Sequence, residues 1–288
     1  MCRMLIAVGT FNSQTLLQNA SAMAQDVLSE HELNNFTKGN FPHKDGWGIA
    51  KYNPNTNKWI TYKSTKPIWT NYKLTSRKVN NSTTKKETKQ HSVTVTIIHT
   101  RRATIGKISM ANTHPFELTI AASHDIVPQK KENQKLQKYF FCHNGTIKDN
   151  IPQNKVFSPK GTTDSEKLFH SILENYLLTK NPIDIRNTIN QYNYPGASNI
   201  ILSTNEKSLI SINCKKNPHY THMHLFQGEQ GILISSEKLP NFQPTTILTH
   251  GTIIEIDHHT TKITMHTNTV EPGKETTVKT SKKKITIP

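Results

Sequence analysis

Apolar and polar positions divide the chain into short elements of two periodicities. Residues 2 to 9 form a nearly continuous apolar run, which predicts a buried strand. Residues 13 to 32 follow the helical period, with Leu16, Leu17, Ala20, Met23, Ala24, Val27 and Leu28 on one face and Asn12 or Ser13 placed to cap it. Residues 46 to 53 and 58 to 64 read as two strands joined by the turn-rich Asn53-Pro54-Asn55-Thr56-Asn57, a hairpin. Val93 to Thr100 is β-branched and strand-like, Tyr139 to Cys142 is a short apolar strand, and 128 to 138 is loop or a brief exposed helix. Thr163-Asp164-Ser165-Glu166 has capping-box spacing and opens an amphipathic helix through Leu168, Phe169, Ile172, Leu173 and Tyr176. Pro182 opens another, to about Tyr192, and strands follow at 198–204, 208–214, 231–236, 246–256 and 261–266. Helices falling on strand-rich layers predict an α+β sandwich.

Residues 75–92 hold almost nothing apolar, so they bury too little surface to offset ordering and read as a flexible insertion. A second polar insertion spans about 125–138, and 271–288 reads as a loose basic tail, leaving 1–270 as one domain. No run of 18 apolar residues occurs and the N-terminus has no signal-peptide pattern, so a soluble cytoplasmic protein without membrane contact is expected. Cys2, Cys142 and Cys214 make no disulfide framework, which fits a reducing compartment and leaves a thiol free to react. The net charge of +16 is concentrated at Arg77, Lys78, Lys85, Lys86 and Lys89, at Lys130, Lys131, Lys135 and Lys138, and at Lys279 and Lys282 to Lys284. Such runs are solvated loops that draw anionic partners. Nucleic acid is not the expected partner, because no stretch alternates basic and aromatic residues. The 15 histidines include His222-x-His224 and His258-His259, yet none has zinc-site spacing, and no metal or cofactor is expected.

Cys2 carries the sharper chemistry. Removal of Met1 places a thiol and a free α-amine on one residue, and their ordinary pKa values of ~8.5 and ~7.7–8.0 let the amine accept the thiol proton near neutrality. Further motifs follow in order: His43-Lys44-Asp45-Gly46-Trp47-Gly48, His99-Thr100-Arg101-Arg102-Ala103-Thr104, Asn112-Thr113-His114-Pro115-Phe116, His143-Asn144-Gly145 and Thr163-Asp164-Ser165-Glu166. With Cys2 they resemble the class II glutamine amidotransferases, and in particular the stand-alone members with a His-x-Asp-Gly-Trp-Gly signature.

The resemblance implies an Ntn-hydrolase fold, a four-layer αββα sandwich of antiparallel sheets. It makes Cys2 the nucleophile that forms a γ-glutamyl thioester, and Asn144 and Gly145 the oxyanion donors. Read alone, Asn144-Gly145 is an ordinary hairpin turn. Arg101 would take the substrate α-carboxylate, with Thr104 in support, and Asp164 the α-ammonium, although Asp164 also suits a helix N-terminus. Arg102 stands where many relatives have an aromatic. His114 matches a pocket histidine and reads equally as structural. The Asp45-Gly46-Trp47-Gly48 turn either walls the pocket or is architectural. The implied substrate is glutamine or another γ-glutamyl small molecule, with ammonia passed to an accepting partner protein. The competing expectation is a basic binding protein that keeps the fold without the chemistry.

Overall fold

The computed structural model describes residues 2–28, 41–73, 93–121, 136–153, 156–215, 218–267 and 281–284. Its strands form two seven-stranded antiparallel sheets. The first runs, in spatial order, β11 (Thr246–Leu248), β9 (Met223–Gly228), β10 (Gly231–Ser235), β1 (Arg3–Gly9), β4 (Thr94–Thr100), β2 (Trp47–Asn53) and β3 (Lys58–Ser64). The second runs β14 (Ser281–Lys284), β13 (Ile263–Thr267), β12 (Ile253–Asp257), β8 (Lys207–Ser211), β7 (Ser198–Ser203), β6 (Leu136–Gly145) and β5 (Phe116–Ala121). The helices are α1 (Ser13–Ala24), α2 (residues 68–73), α3 (Asp164–Thr179), α4 (Ile183–Asn190) and α5 (Pro218–Thr221).

Strand alternation builds the layers. Met4, Ile6 and Val8 of β1 meet Phe140 and Cys142 of β6 and Ile201 of β7 in a core between the sheets. Leu5 and Ala7, on the opposite face, pack with Leu16, Leu17 and Ala20 of α1. Phe141, Ile200 and Leu202 face outward onto Leu168, Phe169 and Ile172 of α3 and Ile185 and Ile189 of α4. The result is the expected α+β sandwich of layers α, β, β, α. Because β1 is covered on both faces, it reads as an apolar run instead of an alternation.

Local signals hold where the chain alone decides. The hairpin closes at Asn53 opposite Lys58. Asn12 is the cap of α1, its Oδ1 accepting from Gln14 N and Thr15 N at 2.8 and 3.3 Å. Thr163 caps α3 by accepting from Glu166 N at 3.3 Å. The Glu166 carboxylate does not close a capping box; it accepts from Lys160 N and Gly161 N at 2.9 and 2.6 Å, bracing the loop before the helix.

Other readings are corrected. Helix α1 stops at Ala24, where Asp26 takes a left-handed φ of 59°, and Val27 is exposed; residues 29–32 of the expected helix lie outside the described residues. Residues 246–256 are two strands in different sheets, β11 and β12, separated by a turn at Thr249–Thr252. Residues 136–138 belong to β6, and β5 and β9 were not anticipated. The 75–92 insertion, and 125–135 of the second, lie outside the described residues. Of the basic tail, Ser281–Lys284 pairs along β13, and the rest lies outside the described residues. Among the described residues no helix is long and apolar enough to cross a membrane.

Candidate active site

Cys2 precedes the central strand of the first sheet and is buried, so its position is set by β1. That strand end is held on several sides. Met4 N donates to Ser236 Oγ and Ser236 N to Met4 O, both at 3.0 Å. Arg3 forms a buried ion pair with Glu237 and lies 4.2 Å over the Tyr220 ring. Ser236 and Glu237 thus anchor Met4 and Arg3, the residues that follow the thiol.

Pairing of Arg3 with Thr100 brings the segment after β4 alongside Cys2. The thiol donates to Arg102 O at 3.7 Å, and the Arg102 guanidinium lies 4.7 Å over the Phe41 ring. Arg101 is 3% exposed, and its guanidinium donates to Ile105 O, Gly106 O and Lys107 O at 2.9, 3.2 and 3.1 Å. Part of the fork expected for a substrate carboxylate therefore closes its own loop. Asp45 Oδ2 accepts from Ala103 N at 2.8 Å, Asp45 N donates to Arg101 O at 3.0 Å, and Arg101 N donates to Gly46 O at 2.8 Å. Gly46 needs its freedom: its φ is 121° and a Cβ would meet Ser64 O at 2.8 Å. Trp47 is fully buried, packs with α1 and donates to Asn71 Oδ1 at 2.9 Å.

Asn144 and Gly145 end β6, opposite Asn199 and Ser198 of β7. The hairpin-turn reading of this pair is overturned. Strand β5 ends opposite Phe141, so Asn144 and Gly145 have β7 on one side and no described strand on the other. Among the described residues, buried Asn144 Oδ1 has no hydrogen-bond partner. Thr104 Oγ1 lies 3.1 Å from Thr146 Oγ1, joining the Arg101 loop to the residue after Gly145. Asp164 Oδ2 accepts from Ile147 N at 2.7 Å, which draws the start of α3 to the same segment. His114 is 3% exposed and lies between the rings of His99 and Phe116 at 4.1 and 4.4 Å, with both ring nitrogens unpartnered among the described residues.

Electrostatics link these pieces. Burial pushes the Cys2 thiol up, while the charged chain terminus, the Arg102 backbone and Arg101 pull it down and Asp164 pushes it up. Burial also holds His99 down to about 3, His143 down to about 4, and His114 well below the ordinary range, so these rings are neutral. Among the described residues no group of three or more His, Cys, Asp or Glu is arranged to hold a metal ion.

Cys2, Arg101, Asn144, Gly145, Thr104 and Asp164 are thus brought to adjoining segments, and His114 packs between His99 and Phe116. The sequence reading left Asn112 and His143 without roles. Asn112 Nδ2 donates to Lys107 O at 2.9 Å, and its Oδ1 accepts from Thr162 N at 2.7 Å, tying the Arg101 loop to the approach of α3. His143 engages Ser165 Oγ and Ser198 Oγ at 2.8 and 3.0 Å. A polar residue ending an apolar strand was the available signal.

Residues 15–224 match the family described as Glutamine amidotransferases class-II. Over 230 residues the chain is 25% identical to YafJ of Escherichia coli (strain K12), assigned by name to the glutamine amidotransferases, covering 73% of this chain and 79% of YafJ. A Haemophilus influenzae protein with the same assignment is 32% identical over 135 residues, 43% of this chain and 40% of that protein. Among solved structures, the Bacillus subtilis glutamine phosphoribosylpyrophosphate amidotransferase complexed with ADP and GMP superposes with a TM-score of 0.54 at 13% identity. That likeness, one of fold, covers 89% of this chain and 47% of the Bacillus enzyme, so the chain spans about half its length. With the family match extending over most of the chain, from α1 to β9, this protein belongs to the class II glutamine amidotransferases.

Proposed function

We propose that the chain is a glutamine amidotransferase or γ-glutamyl amide hydrolase whose nucleophile is Cys2 Sγ, acting with its own α-amine once Met1 is removed. The observation that carries this reading is the position of the thiol, 3.7 Å from Arg102 O and within the fields of Arg101 and Asp164. In the proposed cycle the amine takes the thiol proton as Sγ bonds to the side-chain amide carbon, and the carbonyl π pair moves to oxygen. The Asn144 amide and Gly145 N–H stabilise that oxyanion. Collapse reforms C=O and breaks C–N, the proton passing to the leaving nitrogen, so ammonia or an amine departs and a γ-glutamyl thioester remains. Water, deprotonated by the same amine, then adds; the C–S bond breaks, and glutamate and the thiol are released.

Arg101 binds the α-carboxylate through N–H groups beyond those on its loop, with Thr104 in support. Asp164 binds the α-ammonium, and His114 backs the pocket. The substrate is glutamine or a larger γ-glutamyl compound, and ammonia passes to an accepting partner protein. The working unit is a single domain over 1–270, in a reducing cytoplasm where its three free cysteines stay reduced.

Intact mass should begin at Cys2, Cys2→Ala should abolish glutamine hydrolysis, and diazo-oxo-norleucine should label Cys2. All three thiols are buried and pushed up, but only Cys2 would carry its own α-amine to take the proton, so Cys142 and Cys214 should not react. Label on Cys142, or full activity with Met1 retained, overturns the proposal.

A further inference from the structure

The proposed chemistry uses Asn144 and Gly145 and passes over their neighbour His143. The His143 ring is 1% exposed, with Nδ1 2.8 Å from Ser165 Oγ and Nε2 3.0 Å from Ser198 Oγ. Ser165 follows Asp164 in the first turn of α3, and Ser198 is the cross-strand partner of Gly145. The His143 main-chain carbonyl accepts from His99 Nε2 at 3.1 Å, which fixes this strand end against β4 of the other sheet. The ring also lies close to the next glycine: a Cβ on Gly145 would come within 2.6 Å of Nε2. One neutral imidazole donates through one nitrogen and accepts through the other, and each serine hydroxyl can take either role, so both ring nitrogens are satisfied in this one orientation. The residue is therefore fully engaged and rigidly held, yet joins the segments that carry the oxyanion donors and Asp164.

We infer that His143 is a positioning residue, bridging Ser165 and Ser198 so that Asn144 and Gly145 are held in fixed relation to Asp164 and to the reacting carbonyl. The inference rests on the reading of Asn144 and Gly145 as oxyanion donors. Donors aimed before charge develops act on the transition state more than on bound substrate. Loss of the bridge should then lower kcat, and any rise in KM through Asp164, which follows from its place beside Ser165, should accompany that fall and not replace it.

The experiment is steady-state glutamine hydrolysis by the full chain, with Ser165→Ala, Ser198→Ala, His143→Gln and His143→Ala made alone and beside Asn144→Ala. His143→Ala should reduce kcat on the order of 10²-fold, the effect of a displacement of about 1 Å at a reacting centre. His143→Gln, which keeps a donor and an acceptor, should recover part of the loss. In the Asn144→Ala background His143→Ala should add little, because residues acting as a unit are not additive. The serine variants, each lacking one hydroxyl, should lower kcat less and carry the test if His143→Ala fails to fold. Fully additive losses, a rise in KM alone, or a lowered thermal midpoint with wild-type kcat each overturn the inference. Wild-type kcat in Asn144→Ala alone overturns the oxyanion reading itself; impaired Asn144→Ala beside unimpaired His143 and serine variants overturns only the role of His143.

Discussion

Replacing Gly145 by Ala tests how tightly the end of β6 is confined. A Cβ there would meet Ala197 O at 2.3 Å, His143 Nε2 at 2.6 Å and Ser198 Cα at 2.8 Å. Two of the three are backbone atoms of the neighbouring strand and its approach, which cannot swing aside as a side chain can. Ordinary contact begins at 3.4 Å, so relief requires the chain ends to separate by about 1 Å. A shift of that size at a reacting centre lowers turnover on the order of 10²-fold, and such overpacking costs about 1–3 kcal/mol of stability. Gly196→Ala is the matched control, since among the described residues nothing lies within 4 Å of a Cβ there. Glutamine hydrolysis should show kcat reduced and KM little changed in Gly145→Ala, and urea unfolding a lowered midpoint, with Gly196→Ala near wild type. Wild-type kcat and stability in Gly145→Ala would refute both the confinement argument and the use of its amide.

Arg101→Lys keeps the charge but loses the fork that spans three loop carbonyls, so KM for glutamine should rise about tenfold for each ~1.4 kcal/mol lost; a fall in kcat alone would contradict this. Glu237→Gln removes the anion from the buried pair with Arg3 and should lower urea-unfolding stability by about 3–5 kcal/mol, and a loss below about 1 kcal/mol would show that the pair is dispensable. The folded-state pKa values of His99 and His143, about 3 and about 4, lie below the ordinary 6.5. The unfolded chain therefore binds more protons in acid, and the stability these neutral rings contribute is full above pH 6.5 and lost as pH falls toward 4 and then 3. Each group adds a slope of up to about 1.4 kcal/mol per pH unit. Urea midpoints from about pH 7 to about pH 4 should fall accordingly and fall less steeply in His143→Gln; flat midpoints down to about pH 5 would refute it.

The sequence by itself determined the elements whose causes lie within a few residues. The turn residues at 53–57 close a hairpin, Asn12 and Thr163 cap α1 and α3, and the apolar run at 3–9 is a strand because burial on both faces demands it. It also supplied Cys2 and the ordered motifs, whose family resemblance named the candidate residues. What only the tertiary structure decided depends on neighbours distant in the chain. Residues 246–256 have one apolar pattern but serve two sheets, because the chain crosses between them at Thr249–Thr252. Asn144-Gly145 has the composition of a turn, yet β7 pairs with it and extends the strand. Glu166 has capping-box spacing, yet the amides of Lys160 and Gly161 take its carboxylate. The Arg101 guanidinium is shared with its own loop, and His143 bridges Ser165, 22 positions away, and Ser198, 55 away. A buried polar group must find a partner wherever the fold brings one, and local sequence does not encode which partner that will be.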